Sequence, residues 1–281
     1  MLKTYPSLYP LLAFTGSHHD PEARTAWVLE NSHGLEYSPD PDNLDQLHPR
    51  IIPLIKSDIP VRFHTRYFQY ELGHADQHLA EQALEVHART IKRIRDLLGQ
   101  AVVTVHTGLC PDLPVKPEQV RENLCRLVEY ADSQKVTVCL ENLRQGHASD
   151  PFQVLEWAVD SGAMITMDLG HALGCPMVLD NRITPMEIAE MFAPRLFEVH
   201  VYGREDEAGH HPITDMEPLG PVLDRLLLTS CQWWTIELGP PDQAMSTREL
   251  LEAYFAARHQ KQLMNGQTTR LKNVFGETGH V

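Results

Sequence analysis

The sequence predicts a single (β/α)8 TIM barrel, because short apolar segments alternate with helical ones along the whole chain. Its 281 residues are a comfortable length for one such barrel. Helical connections between successive strands imply that the strands pair in parallel. An open doubly wound sheet shows the same alternation, but the chain lacks a G-x-G-x-x-G loop after its first strand, which favours the barrel.

Eight segments rich in apolar and β-branched residues are predicted to be the strands. They are Leu11–Thr15, Gly34–Tyr37, Val61–His64, Val102–His106, Val136–Glu141, Met164–Asp168, Leu196–Val201 and Trp234–Glu237. We assign residues 1–264 to the barrel. Residues 265–281 are polar and lack periodicity, and we interpret them as a loosely packed C-terminal tail.

Capping residues predict where several helices begin and end. The predicted starts are at Asp20, Asp150, Thr184 with Glu187, and Ser246 with Glu249. Each aspartate precedes a proline, and each hydroxyl residue forms a capping box with the glutamate three positions later. Gly34 and Gly162 are expected to be the left-handed residues that end two other helices.

Composition narrows the class of function. A net charge of −14 argues against nucleic acid as the substrate, because affinity for phosphate backbones comes mostly from cationic contacts. The five cysteines are scattered without a C-x-x-C pair, which favours a reducing cytoplasm over a disulfide framework. The apolar run Leu11–Phe14 is too short for a signal peptide or a membrane span. We expect a cytoplasmic protein that acts on a small molecule, without membrane association, either as a monomer or as an oligomer.

The residues that end six successive strands carry the functional signal. They are His64, His106, Glu141, Asp168 followed by His171, His200 and Glu237. Taken singly, such a histidine is usually structural and such a carboxylate often caps a helix. In a barrel, however, all these ends face one mouth, where crowded acids and imidazoles would be costly without a cation. Mixed imidazole and carboxylate ligands suit Zn, Mn, Co, Fe or Ni better than Ca.

Four further residues near the mouth each have two interpretations. His210 and His211 follow the seventh strand and either belong to a solvated loop or reach the mouth. Glu36 ends the second strand and either faces a ligand or forms a salt bridge. Arg204 either binds an anionic substrate or pairs with one of the two acids that follow it.

These strand ends resemble those of the xylose isomerase-like TIM-barrel superfamily (AP endonuclease family 2), which includes endonuclease IV and sugar phosphate isomerases and epimerases. The resemblance extends from about Leu11 to Arg258. The motifs, in order, are the histidine after Phe63, V-H-T-G at Val105–Gly108, L-E-N at Leu140–Asn142, D-L-G-H at Asp168–His171, V-H-V at Val199–Val201 and I-E-L-G at Ile236–Gly239. Each motif is weak alone, but their order over six consecutive strands is specific.

In the isomerase and epimerase branch, the resemblance implies one metal ion. Its ligands would be Glu141, Asp168, His200 and Glu237. The two glutamates would also act as acid and base on a carbon next to a carbonyl, while the ion polarises the substrate oxygens. His171 and Arg204 would contact the substrate, as would Glu36 if it faces the ligand.

In the endonuclease IV branch, the resemblance implies three zinc ions. The first would bind His64 and His106, with Glu141 as a bridge, and the second Asp168, His200 and Glu237. The third would use His171 and His211, where His211 ends a D-x-H motif. This chain has Gly209 in place of the aspartate of that motif, so Asp206 or His210 would have to compensate.

The branches differ in the use of His64 and His106. An isomerase leaves them as surplus ligands or as substrate contacts, whereas a hydrolase with more than one ion uses both. Our leading hypothesis is metal-assisted hydrolysis of a phosphoester-type bond in a small sugar-like or phosphorylated metabolite, with one to three divalent ions. The alternatives are a metal-dependent sugar or sugar phosphate isomerase or epimerase, and a non-catalytic barrel that binds a metal or another ligand.

Overall fold

Eight parallel strands form one closed barrel in a computed structural model that describes the backbone of residues 9–275 and the side chains of residues 9–260. The strands of the barrel are β1 (Leu11–Ser17), β2 (Leu35–Ser38), β3 (Val61–Thr65), β4 (Ala101–Val105), β5 (Val136–Glu141), β6 (Met164–Asp168), β7 (Leu196–Val201) and β10 (Trp233–Ile236). Between β7 and β10, the strands β8 (Arg204–Asp206) and β9 (Gly209–His211) form an antiparallel hairpin. The predicted barrel is confirmed, and each predicted strand end lies within two residues of the observed one.

Helices connect the strands and cover the barrel. They are α1 (Glu22–Asn31), α2 (Leu47–Lys56), α3 (Gln77–Leu98), α4 (Pro117–Ser133), α5 (Pro151–Ser161), α6 (Leu169–Gly174), α7 (Pro176–Leu179), α8 (Pro185–Phe192), α9 (Gly220–Leu226) and α10 (Pro241–Phe275). Short 3-10 turns occur at Leu44–Gln46 and His147–Ser149. The barrel closes where β1 pairs with both β2 and β10.

Polar side chains fill the lower part of the barrel lumen. Successive residues of a strand face opposite sides, so residues two positions apart share the lumen. Glu198 on β7 lies 3.1 Å from Arg62 on β3 and accepts a hydrogen bond of 2.7 Å from the Thr235 hydroxyl. Burial opposes ionisation of Glu198, but Arg62, His200 and Thr235 together outweigh burial and hold the pKa of that carboxyl below its usual range. This ion pair closes the lumen beneath the mouth.

Two of the predicted helix starts are confirmed. The Asp150 side chain accepts a hydrogen bond from the Phe152 backbone N–H at 2.9 Å, which caps α5. Thr184 and Glu187 form the reciprocal capping box of α8. In both cases a proline follows the capping residue, and its fixed φ suits the first helical position.

The other two predicted starts are wrong. Asp20 does not cap α1, because its carboxylate accepts the Ser17 backbone N–H at 2.8 Å and Pro21 stays extended. Ser246 does not begin a helix, because α10 already starts at Pro241. Its hydroxyl donates to the Gln243 carbonyl within that helix.

One of the two predicted helix-ending glycines is confirmed. Gly162 has a left-handed φ of 84° at the end of α5. Gly34 does not adopt a left-handed φ, so that prediction is wrong. Close packing requires a glycine at this position, because a Cβ there would lie 2.7 Å from a Leu11 methyl group and 2.8 Å from the Trp233 ring.

The predicted end of the barrel domain lies in α10. The predicted boundary at residue 264 falls inside this helix, which continues to Phe275. The side chains of the predicted tail, residues 265–281, lie outside those described, and so does the backbone of residues 276–281, so this division stays a prediction. Within residues 9–275, none of the helices combines the length and apolar character needed to cross a membrane.

His87 on α3 is expected to make the fold sensitive to acid. It is 2% exposed and donates a hydrogen bond to the Tyr70 carbonyl. Burial lowers the pKa of His87 to about 4, whereas an unfolded histidine titrates near pH 6.5. Between these values the unfolded chain binds more protons, so falling pH lowers the free energy of unfolding by about 1.4 kcal/mol per pH unit.

His87→Leu should therefore show a shallower loss of stability than the unmodified protein between about pH 6.5 and about pH 4. Urea unfolding at several pH values measures this difference. His48→Gln changes an exposed histidine on α2 and should keep the original slope. Identical slopes for His87→Leu and the unmodified protein would contradict the prediction.

Candidate metal centre

Six of the strand-end residues predicted from the sequence meet inside the mouth of the barrel. All are buried: His64, His106, Glu141, Asp168, His200 and Glu237. Each of the six lies two positions after a residue of the lower lumen layer. Side chains two positions apart face the same side of a strand, so the six point into the barrel as well. They form two clusters that could each hold a metal ion, and Glu141 belongs to both.

The first cluster consists of His64, His106 and Glu141. The Nε2 atoms of both histidines lie 3.0 Å from the same oxygen of Glu141, and 3.1 Å from each other. Ligand atoms around a tetrahedral zinc ion are about 3.3 Å apart, as follows from bond lengths of about 2.0–2.1 Å. The spacing of this triangle therefore fits a cation.

The second cluster consists of Glu141, Asp168, His200 and Glu237. His200 Nδ1 lies 3.4 Å from Glu141 Oε2 and 3.6 Å from Glu237 Oε1. Each of the four residues has a buried ligand atom without a hydrogen-bond partner. Such atoms are rare in folded proteins because losing water without a new partner is costly. A divalent cation would satisfy all four, so the donor set fits one.

Charge in the two clusters is balanced by close contacts. Burial would raise the pKa of Glu141, but His106, His200 and His64 outweigh it, and the pKa lies well below its usual range. Burial dominates at Asp168 and raises its pKa to about 6. The pKa values of His64 and His200 are raised by the surrounding carboxylates, so protons on these two imidazoles offset the negative charge, and a metal ion would replace those protons on binding.

Asp168 has two structural roles in the D-L-G-H motif. Its Oδ1 accepts hydrogen bonds from the His171 backbone N–H at 2.7 Å and from the Tyr202 hydroxyl at 2.9 Å, which caps α6. Its Oδ2 has no partner and belongs to the second cluster. Gly170 allows the Tyr202 ring to approach, because a Cβ there would lie 2.1 Å from it. One carboxylate can therefore cap α6 with Oδ1 and offer Oδ2 as a candidate metal ligand.

Glu36 lies behind the imidazoles and is fully buried. It accepts a hydrogen bond of 3.1 Å from His200 Nε2 and lies 3.6 Å from His64 Nδ1. Of the two interpretations of Glu36, this geometry supports the salt-bridge partner, which orients ligands from behind. Burial and the nearby Glu198 raise its pKa to about 7. Glu36 also forms a further candidate cluster with His64, His200 and Glu237.

A separate cluster at the rim consists of His171, Glu205 and His210. His171 Nε2 lies 3.4 Å from Glu205 Oε2, and its Nδ1–H donates to a backbone carbonyl at 2.9 Å. His210 stacks on Tyr202 with ring centres 3.9 Å apart, and its Nδ1–H donates to the Glu237 carbonyl. Glu205 was not predicted from the sequence as a candidate ligand.

The hairpin β8–β9 explains why His210 rather than His211 joins this cluster. In the antiparallel register Glu205 lies opposite His210, and Arg204 lies opposite His211. Neighbouring residues of a strand face opposite sides, so the first pair faces His171 and the second faces away. His211 instead pairs with Asp206 at 2.8 Å, and it belongs to none of the candidate clusters among the described residues.

Arg204 lies on the outer side of the hairpin. Its side chain is 73% exposed and pairs with Asp206 at 3.6 Å. Of its two interpretations, the structure supports pairing with a following acid. The alternation of the hairpin is the signal that would have separated Glu205 and His210 from their neighbours, but the sequence analysis predicted a loop there.

Tyr202→Phe should lower the free energy of unfolding by about 1.5–3 kcal/mol, because a fully buried hydroxyl donates to a carboxylate. Urea unfolding of the full chain, treated with a chelator, measures this loss. The matched control is Tyr254→Phe, whose hydroxyl donates to Asp224 at 2.7 Å on the half-buried surface. It should lose less stability, and equal losses for the two variants would refute a special role for the bond to Asp168.

Comparison with known proteins places the chain in a family. Residues 32–254 match the family described as xylose isomerase-like TIM barrel. The chain is also similar to the protein MJ0008 of Methanocaldococcus jannaschii, with 31% identity over 161 residues. That alignment covers 57% of this chain and 70% of MJ0008.

Solved structures with a similar fold include a D-tagatose 3-epimerase-like protein, with a TM-score of 0.72 and 18% identity, over 89% of this chain and 99% of the other. Endonuclease IV from Thermus thermophilus has a TM-score of 0.59 and 17% identity, over 88% of this chain and all of the other. At such identities the likeness concerns the fold. The family match, which covers most of the barrel, shows that this chain belongs to the xylose isomerase-like TIM-barrel family.

Proposed function

We propose that the protein is a divalent-metal-dependent hydrolase of a phosphoester-type bond in a small sugar-like or phosphorylated metabolite. The position of Glu141 between two ligand clusters carries this proposal. Its Oε2 lies 3.0 Å from nitrogen atoms of His64 and His106, and 3.4 Å from Nδ1 of His200. A carboxylate shared in this way is suited to a site with two ions, which is common in phosphoester hydrolysis.

The residues available would hold the ions as follows. One ion would bind His64, His106 and Glu141, and a second would bind Glu141 with Asp168, His200 and Glu237. The mixture of nitrogen and oxygen ligands suits Zn, Mn, Co or Fe. When bound, such ions polarise a phosphoryl oxygen and lower the pKa of water. The rim cluster of His171, Glu205 and His210 is a candidate for a third ion.

Other residues of the chain hold the ligands in place. Tyr202 and the His171 backbone N–H fix one oxygen of Asp168 and leave the other free. Glu36 fixes the His200 ring through Nε2, so that Nδ1 faces the second cluster. A cavity of about 370 Å³ opens beside Glu237 and His210. Its size suits a small molecule, and the net charge of −14 supports such a substrate over nucleic acid.

Isomerisation or epimerisation of a sugar is the second candidate function. It is supported by the presence of both Glu141 and Glu237 in one four-residue cluster, where two carboxylates could move a proton between them and a substrate carbon. In that case His64 and His106 would be left to contact the substrate. Both are buried with their Nε2 atoms against Glu141, which favours the hydrolase.

His106→Asn tests the choice between these functions, because His106 belongs to the first cluster only. For the hydrolase, elemental analysis should give two or more ions per chain before the change and one fewer after it. Hydrolysis of bis-p-nitrophenyl phosphate should fall at least about 100-fold, since a ligand of one of two ions is lost. His48→Asn, at an exposed position on α2, should keep both the ions and the rate.

Other outcomes would contradict the hydrolase. One ion per chain, with turnover of a ketose that survives His106→Asn, would indicate the isomerase or epimerase. Bound metal without turnover of any phosphodiester or ketose would indicate a binding barrel. A protein that retains no divalent ion and hydrolyses no phosphodiester would refute the proposal.

Glu36→Gln should weaken metal binding about 10- to 100-fold, because the neutral amide orients His200 less firmly and leaves it less basic. Competition with a chromogenic chelator measures the affinity. Glu190→Gln, which changes an exposed acid on α8 that pairs with Arg225, is the matched control and should bind as before. Equal affinities for Glu36→Gln and its control would show that Glu36 does not support the site.

A further inference from the structure

Arg24 is a buried guanidinium to which the described part of the chain supplies no counter-ion. It is 7% exposed and forms no ion pair among the described residues. Its Nη2 donates hydrogen bonds of 3.1 Å to the backbone carbonyls of Thr15 and Leu238. Its Nη1 is buried and has no hydrogen-bond partner. A buried charge is normally paired, so this arrangement is incomplete without an anion.

The fold fixes Arg24 at the seam where the barrel closes. The two carbonyls belong to the end of β1 and to the segment just after β10, and the guanidinium lies 4.6 Å from the Trp27 ring centre. These contacts hold both the position and the plane of the guanidinium. Burial lowers the pKa of Arg24, but a guanidinium stays charged at neutral pH. Arg24 therefore places a fixed positive charge at the seam between β1 and β10.

Arg24 also lines the cavity of about 370 Å³ beside the candidate metal centre. The same cavity is lined by Glu237 of the second cluster, by His210 of the rim cluster and by the exposed Arg66. Gly239, just before α10, also lines it, so the cavity lies near the positive end of the helix dipole. A Cβ at Gly239 would meet no atom within 4 Å, so the cavity has open space there.

The carboxylate of Asp20 acts against the positive charge of Arg24. Asp20 lines the same cavity and acts electrostatically on Arg24, but the two do not form an ion pair. Oδ2 of Asp20 accepts a hydrogen bond of 2.8 Å from the Ser17 backbone N–H. Asp20 accepts no hydrogen bond from Nη1 of Arg24, which has no partner among the described residues.

We propose that Arg24 binds a terminal oxyanion of the substrate, a phosphate or a carboxylate, while the reacting part lies against Glu237 and the ligand clusters. The substrate is then an anionic, sugar-like metabolite with its charged group at the seam between β1 and β10. The link to a substrate rests on the proposed function, whereas the oxyanion site does not require turnover. Arg24 would take the substrate-binding role that was one of the two interpretations of Arg204.

Binding of inorganic phosphate and of acetate tests this site. Isothermal titration calorimetry uses the full chain, both loaded with Zn²⁺ or Mn²⁺ and treated with a chelator. Arg24→Gln should weaken binding of the preferred anion at least about tenfold in both states, because a charge-assisted hydrogen bond is lost. Arg195→Gln is the control. It removes the same charge from a half-buried arginine just before β7 that donates to the Ala163 carbonyl, and this variant should bind the anion like the unmodified protein.

A second variant covers the case in which Arg24→Gln fails to fold. Gly239→Val adds a side chain to open space in the cavity and leaves Arg24 in place, so it should keep the thermal unfolding temperature and lose at least about tenfold in anion affinity. Equal affinity in Gly239→Val or a folded Arg24→Gln and in the unmodified chain would overturn the proposal. So would the absence of phosphate and acetate binding, or binding that needs the metal and ignores Arg24.

These results separate the oxyanion site from the proposed function. Anion binding that depends on Arg24 in the chelator-treated chain supports the site even if no phosphodiester is hydrolysed. Hydrolysis without any effect of Arg24→Gln on anion binding would support the proposed function and overturn the site. Preference for phosphate or for acetate identifies which oxyanion the substrate carries.

Discussion

The alternation of side chains along parallel strands determines the whole interior of this protein. Outward residues are apolar and pack against helices, whereas residues two positions apart line the lumen. Lumen residues therefore form layers. The lower layer contains the Arg62–Glu198 ion pair, which satisfies its own charges. The upper layer contains the carboxylates and imidazoles of the candidate metal centre, several of whose ligand atoms have no partner. The polar groups of the lower layer thus satisfy one another, whereas those of the upper layer leave ligand atoms without a hydrogen-bond partner among the described residues.

The upper layer is unfavourable to assemble on its own, and neighbouring residues stabilise it. Glu36 accepts a hydrogen bond from His200 behind the second cluster, and Tyr202 donates one to Asp168 from the rim. These contacts orient the free ligand atoms before any ion binds, which reduces the reorganisation that binding requires. Arg24 follows the same principle, because backbone carbonyls fix the guanidinium and leave one nitrogen free. Both candidate sites therefore contain oriented polar groups with atoms that lack a partner among the described residues.

Much of the site was predictable because its residues end strands of a regular fold. A strand end is a local feature, and the barrel brings all such ends to one mouth, so His64, Glu141 and His200 could be placed together. Glu205 and Arg24 could not, because a two-stranded hairpin and the seam between the first and last barrel strands decide where they point. The wrong helix starts have a different cause. The Asp20 carboxylate turns back to the Ser17 backbone N–H, and the helix that contains Ser246 already begins at Pro241.

The closure of the barrel between β1 and β10 also determines when the candidate metal centre is assembled during folding. These strands are more than 200 residues apart in the chain, as their register of Leu11 with Trp233 shows. Contacts at such separation form slowly, because a long loop must be ordered first. Glu237 follows β10 directly, so the second cluster is complete only after the ring has closed. A partly folded chain would thus lack the full set of ligand residues, and if the proposed centre binds a cation, tight binding would report that folding has finished.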